Sequence, residues 1–322
     1  MTLSRNSDNP IVARHDIPNI PPHLSDVSSV FNPGAVKFKD KYLLMLRVQN
    51  RGRETYLMMA ESLDGVSFTM SNKTVHFDGI ESVEETIYHI YDPRITQIDG
   101  KYYIVCAMDM DDGCHLGLAR TTNFEQFDFM GVLSKKDSRN GVLFPEKVGG
   151  KYCMLLRPNE VRLVGGVISG DTIVLSTSDD LLNWGEEKPM ASGRLHYWDE
   201  RIGSGPPPVK TKQGWLHIYH GVAMHFASSN IYQAGAMLLD LDDPSIVKAR
   251  SRYNILEPRK MYEMVGQVPN VVFPSGMIVE NFDPNGFALP DSEVLLYYGA
   301  ADSSVCLATT TIRELIESCQ YV

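Results

Sequence analysis

Residues 94–109, RITQIDGKYYIVCAMD, decide the fold. An apolar run meets a tight Asp-Gly turn, an aromatic follows, and a second apolar run leaves, which is the chemistry of a β-hairpin. The pattern returns in AVKFKDKYLLMLRV (35–48), EKVGGKYCMLLRP (146–158) and PVKTKQGWLHIYHG (208–221). Its aromatic is Tyr42, Tyr102, Tyr152 and Trp215 in turn. A looser copy with a longer turn, MIVENFDPNGFALPDSEVLLYYGAAD, fills 277–302. A proline precedes each copy: Pro33, Pro93, Pro145, Pro208 and Pro274. Proline cannot donate to a ladder, so each is expected at the first residue of a strand. Further strands with polar turns follow in TYLMMAESLDGVSF, LGLARTTNFEQF and TIVLSTSDDLLNW, ending in Phe68, Phe127 and Trp184.

Five such units in 322 residues predict an all-β chain folded as a five-bladed β-propeller. The propeller is expected as one domain over residues 1–322, with an N-terminal arm over about residues 1–28 and a short C-terminal helix after CLATTT. A β-sandwich is the competing architecture, but it does not predict one hairpin recurring with its proline and aromatic in place. Elsewhere only Ser82–Tyr88 reads as helical.

Thirty Lys plus Arg against forty Asp plus Glu give a net charge of −10. That balance argues against non-specific binding to nucleic acid or to an anionic membrane. No run reaches the length of a membrane span, and the first residues lack the apolar core of a signal peptide. Five scattered cysteines without a CxxC pair read as reduced thiols, with Cys106 and Cys153 as core residues. The expectation is a cytoplasmic protein.

Blade repetition brings equivalent positions together. Five residues beyond the aromatic stand Arg47, Arg157 and His220, while the second copy breaks the pattern with Ala107. Strand alternation puts Arg47 on a face with Leu43 and Met45, Arg157 with Cys153 and Leu155, and His220 with Leu216 and Ile218. A charge ending such a face must be paired or bind something. Asn32 and Asp92 directly precede a repeat proline, in FNPG and YDPR. Arg139 and Asn140 precede the third copy, Arg201 the fourth, and Asp302 follows the last apolar strand.

The set suggests chemistry. Glycosidases normally use two carboxylates. An oxyanion co-substrate needs cations to hold it rather than a base to activate it, and Arg139, Arg157, Arg201 and His220 fit that need. Each residue also has a plainer reading. Asp92 alone reads as a turn cap, and Arg157 alone as an ion-pair partner of Glu146 or Glu160. His217 and His220 face opposite sides of a strand, and Asp109, Asp111 and Asp112 read as a solvated turn, so no metal site is expected. The shared repeat position lifts the set above these readings.

These same segments resemble glycoside hydrolase family 130: FNPGAVKF with YLLMLR, YDPRITQIDGKYY, SRNGVLFPEKVGGKYCMLLRP, RIGSGPPPVKTKQGWLHIYHGV and YYGAAD. The resemblance runs from about Asn32 to Asp302. It implies a five-bladed propeller acting on β-mannosides, most members being inverting phosphorylases that release α-mannose 1-phosphate. By motif, it implies that Asp92 is the general acid, acting through the 3-hydroxyl of the bound mannose. Arg139, Arg157 and His220 match the phosphate-binding positions, and Arg201 stands where many members have lysine. Asn32, Arg47, Asn140 and Asp302 match positions that contact the mannosyl unit, and Tyr91 lines the same pocket.

The resemblance implies inorganic phosphate as co-substrate, a β-mannoside oligosaccharide as partner, and no metal or organic cofactor. Oligomers are common in that family, and the sequence fixes no number. Two other readings stay open. One is a β-mannosidase using water, with Glu200 as a candidate base; the other is a non-catalytic sugar-binding propeller. Linkage and leaving sugar are assigned to the loops Val161–Gly170, His225–Tyr232 and Met261–Val268.

Overall fold

The structure is a computed structural model that describes residues 3–134, 136–161, 167–225 and 229–321. Five antiparallel sheets stand in a ring, as the repeats predict. The first blade is Val27–Phe38, Lys41–Asn50, Thr55–Ser62 and Thr69–Thr74, and the second is Ile87–Ile98, Lys101–Met110, Gly113–Thr121 and Asp128–Val132. The third is built on Ser138–Leu143, Tyr152–Val161, Thr172–Ser178 and Lys188–Ser192, with Val167–Ser169 beside its second strand. The fourth begins with Arg201–Ser204 and Val209–Thr211, both paired to Gly214–Ala223, and continues through Ile231–Leu239 and Val247–Ser251. Three prolines at 206–208 explain the break in that inner strand, since none can donate to the ladder. The fifth is Val272–Val279, Glu293–Ala300 and Ser304–Thr311.

Both faces of each blade are buried, so the strands read as nearly continuous apolar runs with period-two allegiance. Leu43 and Met45 pack against Ile95, Ile104 and Cys106 of blade II, while Leu44 and Leu46 pack against Leu295 and Tyr297 of blade V. Similar clusters join blade II to III, III to IV and IV to V, so one apolar core lies at each blade interface. The polar turns repeat as well. The Ser62, Thr121 and Ser178 hydroxyls accept from backbone N–H groups of the turn, and Asp64, Asn123 and Asp180 accept from the next two.

Two expectations are corrected. Ser82–Tyr88 is not a helix. Only Ile80–Ser82 makes a 3-10 turn, and Ile87 already begins a strand. Val83, Thr86 and Ile87 are β-branched and lose side-chain freedom in a helix. The repeat prolines do not all begin strands either. Pro33, Pro93 and Pro274 lie inside Val27–Phe38, Ile87–Ile98 and Val272–Val279, where the register slips between Phe31 and Gly34, Tyr91 and Arg94, and Pro274 and Gly276. Pro33 and Pro93 fall among the unpaired residues of their bulges, so the missing N–H costs the ladder nothing there, and Pro274 immediately precedes its bulge.

The C-terminal helix is present as Ile312–Glu317, capped by the Thr311 hydroxyl accepting from Glu314 N. A strand, Cys319–Tyr321, follows it and adds to the outer edge of blade IV. The N-terminal arm carries another, Ser4–Arg5, which adds to the outer edge of blade V.

Candidate active site

Register sets the site. In blade I Phe31 pairs with Arg47, in blade II Tyr91 with Ala107, and in blade III Arg139 with Arg157. In blade IV Gly203 pairs with His220, and in blade V Phe273 with Gly299. These are one cross-strand pair repeated five times, so the ten residues ring one mouth of the propeller. The next inner-strand residues, Asn32, Asp92 and Asn140, have φ of 46°, 52° and 56°. Asp302, in the turn after Ala300, has φ 49°. Non-glycine residues rarely hold this left-handed conformation, and Asn and Asp tolerate it best. The bulges turn the side chains of Asn32, Asp92 and Asn140 out of the strand alternation and into the mouth, and the turn places Asp302 there.

A cavity of about 310 Å³ results, lined by Asn32, Arg47, Tyr91, Asp92, Arg139, Asn140, Arg157, His220 and Asp302. Nine of the ten residues expected from sequence therefore meet. Arg201 is not on the wall; it starts the inner strand of blade IV, near enough for its charge to act on Arg157. The cavity is at the small end for a ligand pocket.

The side chains divide by charge. Asp92 Oδ1 accepts from Asn32 Nδ2 and Arg47 Nη1, both at 3.0 Å. Arg47 lies between two rings, 4.5 Å from the centroid of Phe31 and 4.4 Å from that of Tyr91. Asp302 faces the same pair; burial, opposed by Arg47 and aided by Asp92, pushes its carboxyl up to about 6.

Opposite stand the cations. Arg157 is buried and donates to His220 Nε2 at 3.3 Å. That bond puts the imidazole proton on Nδ1. Burial, and then the charges of Arg157 and Arg94, hold His220 well below the ordinary imidazole value, so it is neutral. Burial, with Arg139 and Arg201 close by, brings Arg157 down to about 10, which still leaves it charged at neutral pH. Glu146 is not its partner, being paired with Lys210 at 2.6 Å, and the side chain of Glu160 lies outside the described residues. Buried polar atoms without a hydrogen-bond partner collect here: Asn32 Oδ1, Asn140 Oδ1 and the Nε atoms of Arg47, Arg139 and Arg157. Such a collection is costly unless a polar ligand meets it.

Three residues were not assigned to the site from the sequence, and one of them, Asp109, was read as part of a solvated turn but belongs to the strand Lys101–Met110. Tyr232 lines the cavity, its ring stacked on His220 with centroids 6.0 Å apart; it carries no repeat signal. Asp109 lines it too, accepting from Tyr91 Oη at 2.7 Å and lying 3.6 Å from Arg139 Nη2. Its signal was the break at Ala107, because the residue two further on shares that face and carries the charge. Arg94 is buried on the axis and donates to Gly205 O at 2.8 Å and Asp92 O at 3.0 Å. The equivalent positions hold Gly34, Val142 and Gly276, so an arginine there was legible as an anomaly.

Asp111 and Asp112 do not join Asp109. They accept from Tyr88 and pair with His115. Among the described residues no three His, Cys, Asp or Glu side chains converge as a metal set. Glu200 is not on the cavity wall.

A family model described as beta-1,4-mannooligosaccharide phosphorylase, that of glycoside hydrolase family 130, matches residues 3–321. The chain belongs to glycoside hydrolase family 130. A beta-1,4-mannooligosaccharide phosphorylase of Ruminococcus albus is 32% identical over 316 residues, covering 96% of this chain and 88% of the relative. A 1,2-beta-oligomannan phosphorylase of Thermoanaerobacter is 33% identical over 299 residues, covering 89% and 92%. Among solved structures, a beta-1,2-mannobiose phosphorylase of Listeria innocua in complex with beta-1,2-mannobiose superposes with a TM-score of 0.85 at 28% identity, covering 99% of both chains.

Proposed function

We propose that this family 130 chain is an inverting β-mannoside phosphorylase, transferring a mannosyl group to inorganic phosphate to give α-D-mannose 1-phosphate and a shortened sugar. One observation carries the reading: a charged Arg157 with Arg139 and a neutral His220 on blades III and IV, facing the Asp92–Asp302 side of the same small cavity. Arginine and an imidazole N–H suit phosphate oxygens.

In this reading the mannosyl unit lies over Asn32, Arg47, Asn140, Tyr91 and Asp302. A phosphate oxygen, held by Arg139, Arg157 and His220 with Arg201 at the rim, forms the new bond to the anomeric carbon. The glycosidic bond breaks from the other face, its electron pair going to the leaving oxygen, and Asp92 supplies the proton. Phosphate is already anionic, so no carboxylate must act as a base. Asp109, the further carboxylate on the wall, is already engaged by Tyr91 and Arg139. Transfer to phosphate makes the enzyme a hexosyl transferase in type, and no metal is required.

Relatives of this chain carry names with β-1,4 and with β-1,2 linkages, so either bond fits the reading. Parts of two loops expected to set the linkage, 162–166 and 226–228, lie outside the described residues. No helix among the described residues is long and apolar enough to cross a membrane. Five unpaired cysteines support a reducing, cytoplasmic setting.

The test uses β-mannosyl disaccharides of both linkages, with and without inorganic phosphate, followed by phosphorus NMR. An α-mannose 1-phosphate signal that needs phosphate is expected, and the active disaccharide names the linkage. Free mannose at the same rate without phosphate would instead make the enzyme a hydrolase.

A further inference from the structure

We propose that Asp109 is a positioning residue of the phosphate site, holding Arg139 and Tyr91 in the arrangement that the anion meets. The inference rests on the phosphorolytic reading above and gives a role to a wall carboxylate which that reading leaves unused.

Asp109 lies near the end of Lys101–Met110, the second strand of blade II, on the wall of the catalytic cavity. Its carboxylate reaches two inner strands at once. Tyr91 Oη, on the inner strand of blade II, donates to Oδ1 at 2.7 Å. Arg139 Nη2, on the inner strand of blade III, lies 3.6 Å from the same oxygen. Oδ2 lies 3.6 Å from His89 Nδ1, so the carboxylate is engaged through both oxygens. Among the described residues Asp109 is the one carboxylate paired with Arg139.

That pairing leaves Arg139 usable. Nη2 faces Asp109, whereas the buried Nε has no hydrogen-bond partner. A guanidinium steered by one group offers its remaining N–H groups to an anion, and its fork suits two phosphate oxygens. Arg139 also stands close enough to Arg157 for the two charges to oppose each other. A carboxylate beside them offsets that repulsion.

Tyr91 carries the second link. Its ring centroid lies 4.4 Å from the Arg47 guanidinium and 5.9 Å from that of Arg139. Arg47 in turn donates to Asp92. The phenol–carboxylate bond is charge-assisted and fixes the tilt of the ring between these groups. Asp109 thereby sets how the phosphate cation stands relative to the acid's side of the cavity.

The experiment measures kcat, KM for phosphate and KM for the mannoside in the wild type, Asp109→Asn and Asp109→Ala. Asparagine still accepts from Tyr91 but brings no charge to Arg139; alanine loses both links. Asp109→Asn should raise KM for phosphate about fivefold with kcat within about twofold. Asp109→Ala should raise it about tenfold and lower kcat about tenfold, with KM for the mannoside moving much less in both. Simple electrostatics predicts the opposite sign, because removing a negative charge from the wall should tighten phosphate. A KM for phosphate that falls, or that stays unmoved in both variants whatever their Tm, therefore overturns the positioning role and leaves phosphorolysis standing. The nearly isosteric asparagine keeps the test decisive should the alanine variant fold poorly. Wild-type turnover without phosphate that Asp109→Asn abolishes would make Asp109 the base of a hydrolase, removing the phosphorolytic reading and this inference with it.

Discussion

Asp92 and Asp302 face one cavity but differ in what surrounds them. Asp92 accepts two hydrogen bonds, one from a cation, whereas burial moves Asp302 to about 6. Asp92→Asn keeps the acceptor for Arg47 and Asn32 and loses the proton. We expect kcat to fall by about a thousandfold with phosphate affinity little changed; a variant of wild-type kcat would remove Asp92 from catalysis. Asp302 gives a pH signature. If it must be ionised to accept mannosyl hydroxyls, kcat/KM drops as pH falls through about 6, and Asp302→Asn abolishes that limb at a lower plateau. The stability sign runs the other way. A carboxyl raised in the folded state stabilises the fold below its unfolded value, and this contribution is lost as pH rises through about 6. Asp302→Asn should therefore flatten thermal stability between pH 4 and pH 7, read by melting curves. Asp92, Arg157 and His220 were legible in the sequence because they sit at repeat positions. Tyr232 was not, because strand register alone brings it over His220.

At the scale of elements, the site depends on inner strands that are bulged and close-packed. The bulges were misread as strand starts because proline alone does not distinguish the two. Gly203 marks the close packing. A Cβ there would lie 2.5 Å from His220 Cε1 and 2.7 Å from Asn140 Oδ1. Gly203→Ala must displace one or both, so KM for phosphate should rise about tenfold while KM for the mannoside moves less; equal shifts would show that the strand, not the anion site, was disturbed. Arg94 ties two elements across the axis by donating to carbonyls of Asp92 and Gly205. It is a positioning residue, holding a strained backbone in place. Arg94→Met keeps most of the bulk and leaves both carbonyls without that donor. Its kcat should fall about tenfold with KM nearly constant, and Arg94→Lys should recover part of the loss; a fall in Tm alone would make the role structural only.

Over the whole molecule, the blades were legible and the placing of the chain ends was not. A two-residue strand has no period to read, and its partners, Thr309 and Ala308, lie at the other end of the chain. Ser4–Arg5 nevertheless does more than extend blade V. Arg5 reaches Glu263, which is fully buried, through Nε at 2.7 Å and Nη2 at 2.9 Å. Tyr298 Oη and the backbone N–H groups of Arg259 and Lys260 complete the carboxylate's partners. Glu263 belongs to the short helix Met261–Met264, and the segment beyond it carries Val268 and Val271 on the catalytic cavity wall. The N-terminal strand thus anchors a wall of the site through one buried ion pair. Removing one partner of such a pair leaves an uncompensated charge and costs about 3 kcal/mol or more. Arg5→Ala should lower Tm by several degrees and raise KM for the mannoside, because Val268 and Val271 lose their fixed support. Arg5→Lys restores the charge without the two-pronged geometry and should fall between. An Arg5→Ala enzyme with the wild-type Tm would show that the helix holds its place without the arm. One with a lowered Tm but unchanged KM would confine the arm's role to stability.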